Sequence, residues 1–438
     1  MAAIPVIAIF DIGKSNKKLV CFDRDYQMVL ERSVRLGEIP DTDGFPSEDP
    51  ALVQDFLFSS LEQLRQEGAL EVQAVNFSAY GASLVGLDGA GRAIRPIYNY
   101  LKPYPAGIAE SFFAAYGGKE LLTRKTASPF LGSLNSGLQI LRIRMEIPDL
   151  FRQVRYFMHL PQWLASLVTG QFSSGLTSIG CHTLLWDFSS GRYHDWVEKE
   201  QIMEKLAPLL PETRAVPVRL GATGLVAGTG IQDSSAALIP YLLTFREPFI
   251  LVSTGTWSIS LNPFNDELLT GIELEQDCLC YLRTDGAAVK ASRFLLGPVY
   301  ESSLKRIADY FKVDLGIFAS MSFNAEWANR DLPGEEIQPE KFTSAGHAYH
   351  QLIQGIVHKQ ERSIRLVLGK VTPTHIFVDG GFSRNLVFLH LLSKCFPEIR
   401  VQASATGQAS ALGAALTIHS SWNPGPVPDH LAIVRDFS

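Results

Sequence analysis

The stretch "IAIFDIGKSNKKLVCFDRD", Ile7 to Asp25, opens as an apolar strand, breaks at Asp11 into a short polar segment with one glycine, and resumes as a second strand at Lys18. A tight turn between two antiparallel strands leaves successive backbone N–H groups pointing outward, and Gly13 lets the chain take dihedrals that expose them. Such a turn can cradle a phosphate, with Lys14, Lys17 and Lys18 adding charge. Asp11, at the strand end, is placed to hold a hydrated Mg2+, because hard divalent cations take carboxylate and water oxygens. A solvated, lysine-rich hairpin is the plain alternative.

Working outward, Val6–Phe10, Lys18–Phe22 and Met28–Arg35 read as a strand meander separated by polar turns. Asp49 followed by Pro50 is an N-cap and first-turn pair, and Leu52, Val53, Phe56, Leu57, Ser60, Leu61 and Leu64 then share one helical face. Another strand, Ala74–Ala79, runs into "YGASLVGLDGAGRAIRPIYNY", where "DGAG" signals a hairpin. From about Leu134 to Leu210 the pattern is helical, with Trp163, Leu164, Leu167 and Val168 on one face. The plan then restarts. "EPFILVSTGTWSISLNP" is a strand, a glycine turn and a strand, followed by the strands "DCLCYLRT" and "AAVKASRFL". A helix at Ala345–Gly369, the buried strand "THIFVDGG", a helix at Asn385–Phe396 and a small-residue helix at Ala409–Ile418 complete it. Strands in a meander and then alternating with helices imply a mixed sheet flanked by helices in each half, with a ligand cleft between the halves.

Composition narrows the function. With 438 residues, 46% hydrophobic and 19% charged, the chain can build two or three domains around a large core. A formal net charge of -6 provides no basic surface for nucleic acid or an anionic membrane, so the partner is expected to be a small molecule. The apolar run Ile4–Phe10 is short and lacks a basic leader, and no stretch approaches a membrane span, which makes a cytosolic location the expectation. Five cysteines are sparse, and the pair Cys278 and Cys280 has strand spacing rather than zinc-knuckle spacing. Ten histidines form no ligand pair of the HExxH kind. A homodimer is compatible with this composition, which carries no signal for oligomeric state.

Three further segments can carry chemistry. In "STGTWS", Ser253–Ser258, Thr254 and Thr256 flank Gly255 and can donate to phosphate oxygens, a plain hairpin again being the alternative. GxxxxGK[ST] is absent, so two facing turns would be another way to grip a triphosphate. In "VDGGFSRN", Gly380 and Gly381 permit close approach of a planar or phosphorylated ligand before a helix. "ATGQASALGAAL", Ala405–Leu416, is nearly free of bulk, so either the sheet or a nucleotide packs tightly against it, and tight helix packing is the simpler account. In "AGTGIQDSSAAL", Asp233 starts a helix. Locally that position favours an N-cap; the functional alternative is a general base kept ionised at neutral pH by the helix N-terminal N–H groups.

The order of "DIGKSNKK", "LPQWLASLVTGQ", "GIQDSSAAL", "STGTWS", "VDGGFSRN" and "ASALGAAL" resembles that of the FGGY family of carbohydrate kinases over nearly the whole chain. The resemblance implies an α/β, two-domain, actin-like ATPase (ribonuclease H-like) fold, with residues 1–244 as the N-terminal domain for sugar and catalytic base and 245–438 as the C-terminal nucleotide domain. It implies ATP and Mg2+, with Asp11 beside the metal. Lys14, Ser15, Asn16, Lys18, Thr254, Gly255 and Thr256 would meet the phosphates; Gly380, Gly381 and Asn385 would border the adenosine. Asp233 becomes the base that deprotonates the sugar hydroxyl. Tyr80, Gly81, Ser83, Tyr98, Asn99 and Gln232 are candidates for the sugar.

This sequence departs from the family pattern in three places. The first turn has Lys14 and Ser15 in place of two threonines, and Lys18 in place of arginine, which keeps the charge but loses bidentate geometry. "YGASLVGLD" is similar to rhamnulose-type kinases, yet Ala82 and Ser83 stand where polar or acidic sugar contacts are expected, and "YNY" lacks the acid often found there. "VPVRLGATGLVAGTGIQDS" is more compact than the usual link to the catalytic segment. The implied activity is ATP-dependent phosphorylation of a ketose, L-rhamnulose or L-fuculose ahead of D-xylulose or another pentulose. An actin-like or chaperone-like ATPase without a sugar, and a sugar sensor without turnover, are the rival readings.

Overall fold

The opening apolar run is the strand Ile4–Ile12, and its residues Val6 to Phe10 have no exposed surface because neighbours flank them on both edges and both faces. It pairs antiparallel with Lys17–Phe22 and parallel with Leu70–Ala79. The computed structural model describes residues 3–219, 224–327, 337–405, 407–429 and 431–437. Among them, the first sheet runs in the order 215–217, 226–228, 70–79, 4–12, 17–22, 28–34, with Ile231–Gln232 also parallel to Leu70–Ala79. The second sheet runs 278–282, 288–295, 257–262, 249–254, 375–380, 400–404, 434–436. In each, an antiparallel meander starts on a central strand whose other edge carries a parallel strand, so the two halves repeat one topology.

Helices cover both sheets. Asp49 caps the helix Pro50–Glu67 by accepting from Ala51 N, and Val53, Phe56, Leu57 and Leu64 pack on the first sheet with Trp163 and Leu164 of the helix Leu160–Thr169, while Leu52 faces out. Ala345–Val367 and Leu386–Cys395 pack on the second sheet. The segment expected to be helical from Leu134 to Leu210 also contains strands: Tyr156–His159, which pairs with Leu84–Leu87, and the two-residue antiparallel pair Trp186–Asp187 and Arg192–Tyr193. Four residues between helices are too few to set a period-two pattern apart. The compact link forms a short antiparallel pairing of Ala215–Pro217 with Val226–Gly228; residues 220–223 of it lie outside the described residues.

Two helices cross between the halves. In Asp233–Thr244, Ala237, Leu238 and Tyr241 bury against Phe249, Leu251 and Phe377 of the second sheet. In Ala409–Thr417, Ala411, Ala414 and Ala415 bury against Ile7, Ile9 and Val20 of the first. Where they meet, a Cβ on Gly413 would lie 1.8 Å from the Ala236 carbonyl oxygen. The scarcity of bulk in "ASALGAAL" is therefore the signature of a helix crossing. No helix among the described residues is long and apolar enough to cross a membrane.

Candidate active site

The parallel strands of both halves end at one place. Ile4–Ile12 delivers Asp11 and Gly13, Leu70–Ala79 leads into Tyr80 and Gly81, and Ile231–Gln232 leads into Asp233. From the second sheet, Phe249–Thr254 delivers the turn at Gly255 and His375–Gly380 delivers Gly381. These ends line a cavity of about 600 Å³, the position where open α/β sheets bind ligands and a size suited to small molecules.

Of the residues singled out from the sequence, Asp11, Lys14, Ser15, Asn16, Lys18, Tyr80, Gly81, Gln232, Asp233, Thr254, Gly255, Thr256, Gly380 and Gly381 line this cavity. Four do not. Asn385 caps the helix Leu386–Cys395, accepting from Phe388 N at 3.0 Å and donating to the Tyr349 hydroxyl at 2.9 Å. Ser83 is buried and donates to the Tyr98 carbonyl at 2.8 Å. Tyr98 lines a separate, smaller cavity, and its hydroxyl accepts from Arg142 at 3.3 Å. Asn99 donates to the Pro46 carbonyl and accepts from Leu101 N. All four are polar groups satisfied by local backbone or neighbouring side chains, a use that spacing cannot distinguish from ligand contact.

The lysines of the first turn divide. Lys17 is buried and pairs with Glu48 at 2.8 Å, while its ammonium also donates to the Lys14 carbonyl. It therefore turns away from the cavity and adds no charge there. Lys14 is held by Glu38 at 2.8 Å and Glu48 at 3.1 Å. Lys18, paired across the strands with Asp11, reaches Gln408 at 3.2 Å and Glu31 at 3.4 Å.

In the second turn, Thr254 uses its hydroxyl inside the protein, donating to the Asp379 carbonyl at 2.5 Å and accepting from Phe382 N at 3.0 Å. That stitch holds Gly380 against Thr254 so closely that a Cβ there would lie 2.0 Å from the Thr254 carbonyl oxygen, and Gly380 sits at φ +82. A side chain fits neither the space nor the backbone. Gly255, exposed, and Thr256, half-buried, form the tip.

Asp233 is the first residue of its helix but not its cap. Gln232 takes that role, accepting from Ser235 N, and also donates to Asp233; the Asp233 carboxylate accepts from Ser234 N at 2.7 Å. Desolvation, with the negative charge of Asp11 behind it, pushes the Asp233 carboxyl up to about 7 against these hydrogen bonds. The helix N–H groups thus do not hold it fully ionised at neutral pH, as its position alone suggested.

The charges around the cavity also bear on a divalent cation. Asp11 accepts from Ser410 at 3.0 Å and is raised by burial. Asp379, also raised by burial, keeps one buried carboxylate oxygen without a hydrogen bond. Two carboxylates on one cavity, one with an orphaned oxygen, fit a hard, hydrated cation such as Mg2+. Among the described residues no group of three or more His, Cys, Asp or Glu could hold a metal by itself, so water and ligand oxygens would complete the shell.

Sequence reasoning missed Tyr100, His182, Trp257, Tyr281, Arg293 and Asp379, which also line the cavity. Asp379 carried a legible signal, an acid at the end of a buried strand before a glycine, as at Asp11. Arg293 carried a weaker one, a lone arginine inside the apolar strand "AAVKASRFL".

The profile of the N-terminal domain of the FGGY family of carbohydrate kinases matches residues 6–221, and that of the FGGY C-terminal domain matches residues 246–313. The chain belongs to the FGGY family of carbohydrate kinases. The rhamnulokinase of Oceanobacillus iheyensis is 24% identical over 265 residues, covering 57% of this chain and 54% of that protein, so the chain matches about half the length of this curated relative. The ligand-bound xylulose kinase of Lactobacillus acidophilus superimposes with a TM-score of 0.80 at 15% identity, over 99% of this chain and 93% of that one. A carbohydrate kinase from Novosphingobium aromaticivorans gives 0.73 at 20% identity, over 98% and 96%. These likenesses define the fold: the two-domain, actin-like ATPase architecture with mixed sheets flanked by helices.

Proposed function

We propose that this chain transfers the γ-phosphoryl group of ATP to a hydroxyl of a ketose or related polyol, with Asp233 as the general base. The observation that carries the reading is the convergence of Asp233 with the two turns, Gly13–Lys18 and Thr254–Thr256, on one cavity. In the reaction the acceptor oxygen bonds to the γ-phosphorus, the bond from that phosphorus to the ADP oxygen breaks, and the hydroxyl proton passes to the Asp233 carboxylate. A carboxyl near 7 is matched to that task, since it is ionised in a substantial fraction at neutral pH and still a useful proton acceptor. Lys18 and the turn backbones orient the phosphates, and the Thr254 stitch fixes the second turn. Asp11 and Asp379 would hold Mg2+, which when bound neutralises charge on the phosphoryl oxygens.

We further propose residues 1–244 and 245–438 as the sugar and nucleotide units, a cytosolic location, and L-rhamnulose or L-fuculose ahead of D-xylulose or another pentulose as the ketose. That ranking is supported by the "YGASLVGLD" resemblance and the distant rhamnulokinase relative. Coupled ADP production across a ketose panel tests the reading. ADP release that ignores every sugar would favour the ATPase alternative, and binding without release the sensor.

A further inference from the structure

The acceptor side of the cavity contains a cation that the phosphate turns do not use. Arg293 lies in the strand Ala288–Leu295, is 5% exposed, and lines the cavity with its guanidinium 4.6 Å above the Trp257 ring. Its Nε and Nη2 are buried and make no hydrogen bond, although the half-buried carboxylate of Asp277 forms an ion pair with Nε at 3.4 Å. Charged donors in such a place are costly unless a ligand satisfies them. Stacking on Trp257 fixes the plane of the fork, which suits two parallel bonds to one carboxylate.

Its neighbours place it beside Asp233, the proposed general base: the charges of Arg293 and of Asp233 both act on Tyr100, Cys181 and Tyr281, and that of Arg293 acts on His182 as well. His182, at φ +40, bonds the Leu134 carbonyl through Nδ1 at 3.1 Å. A carbonyl only accepts, so Nδ1 carries the proton. Burial holds the ring neutral, at about 3, which leaves Nε2 as an acceptor for a hydroxyl. One wall therefore offers an anion receptor beside a hydroxyl acceptor.

We propose that the acceptor is a polyol bearing a carboxylate, and that Arg293, stacked on Trp257, is the residue that binds this group. The inference rests on the kinase reading for the use of the cavity, but its charge argument concerns binding alone. The other source of anionic oxygens is the transferred phosphoryl group, and the experiment separates the two. Purified full-length protein is assayed for ADP release with matched pairs that differ in a carboxylate: D-fructuronate against D-fructose, D-tagaturonate against D-tagatose, D-gluconate against D-glucitol. The same compounds are titrated calorimetrically, with the wild type, Arg293→Met and Arg293→Lys.

At least one acid is expected to exceed its neutral partner by on the order of 100-fold or more in kcat/KM, since a site built around a polar group discriminates strongly against analogues that lack it. Arg293→Met is expected to abolish that preference by raising KM for the acid while leaving ATP affinity within about twofold, with Arg293→Lys in between. Acid binding lost in Arg293→Met without turnover in any protein would uphold the carboxylate site and remove the kinase reading. Turnover of neutral ketoses with no acid preference would overturn the inference and leave the kinase reading standing. An equal fall in kcat for acids and neutrals, with weakened ATP binding, would assign Arg293 to the phosphoryl group and overturn the carboxylate site. If Arg293→Met does not fold, the wild-type pairs decide.

Discussion

Replacing Glu48 with glutamine tests how the first turn is held. Glu48 is 4% exposed and receives Lys17 at 2.8 Å, Lys14 at 3.1 Å and the Tyr80 hydroxyl at 2.7 Å. Lys14 keeps Glu38 when Glu48 loses its charge; Lys17, at 2% exposure, keeps only the Lys14 carbonyl. Glu48→Gln preserves shape and leaves a buried ammonium without a counter-charge, a change that costs about 3–5 kcal/mol where one partner of a buried pair is removed. Urea unfolding at neutral pH reads this loss directly. Because Tyr80 lines the cavity and is anchored through the same carboxylate, KM for the acceptor should rise more than KM for ATP. In the double variant Glu48→Gln/Lys17→Met the buried ammonium is gone, and most of the stability should return. A single variant within about 1 kcal/mol of the wild type, or a double variant no better than the single, would refute the view that this pair is buried and mutually dependent.

The remaining predictions concern other links of the chain. Asp233 titrates in the folded protein at about 7 against an ordinary 3.8, so the folded state binds the extra proton between those values and this group's contribution to stability falls as pH rises from about 4 through 7. Asp233→Asn should therefore be more stable than the wild type at pH 8, by roughly 2–4 kcal/mol, with the difference vanishing near pH 4 in thermal melts. The acid limb of kcat/KM should have its midpoint near 7, and a flat profile down to pH 5 would exclude Asp233 as the base. Gly413→Ala should destabilise by about 1–3 kcal/mol or more despite alanine's helical advantage of about 1 kcal/mol, because the new methyl meets the Ala236 carbonyl oxygen. Thr254→Val should cost about 1–3 kcal/mol by leaving the Asp379 carbonyl and Phe382 N unpaired, and should raise KM for ATP in steady-state assays.

Elements with strong local signals could be located from sequence to within a few residues. Asp49–Pro50 marks the start of its helix, and Ile4–Ile12 and His375–Gly380 are legible because strands buried on both faces read as continuous apolar runs. Tyr156–His159 was not legible: its pairing with Leu84–Leu87 is a tertiary fact, and four residues between helices carry no period. The site divided in the same way. Asp11 and Gly380, at strand ends, were singled out by the turn chemistry that follows them, whereas the local sequence of Asp233 favoured a cap and only the order of motifs along the chain pointed to a base. Arg293, His182 and Tyr100 reach the cavity from strand interiors and loops far apart in sequence, and Lys17, Ser83 and Asn385 have polar side chains that neighbouring groups consume. Whether a polar residue faces a ligand or a carbonyl is decided by packing, which spacing does not encode.

The central claim, that the carboxylate of Asp233 takes the acceptor's proton in a cavity closed by two turns, is tested most directly by sugar-dependent ADP release from Asp233→Asn beside the wild type. The account predicts a fall of roughly 10²- to 10⁴-fold in kcat with ATP affinity unchanged. An asparagine variant that releases ADP at the wild-type rate with the same sugar would contradict it.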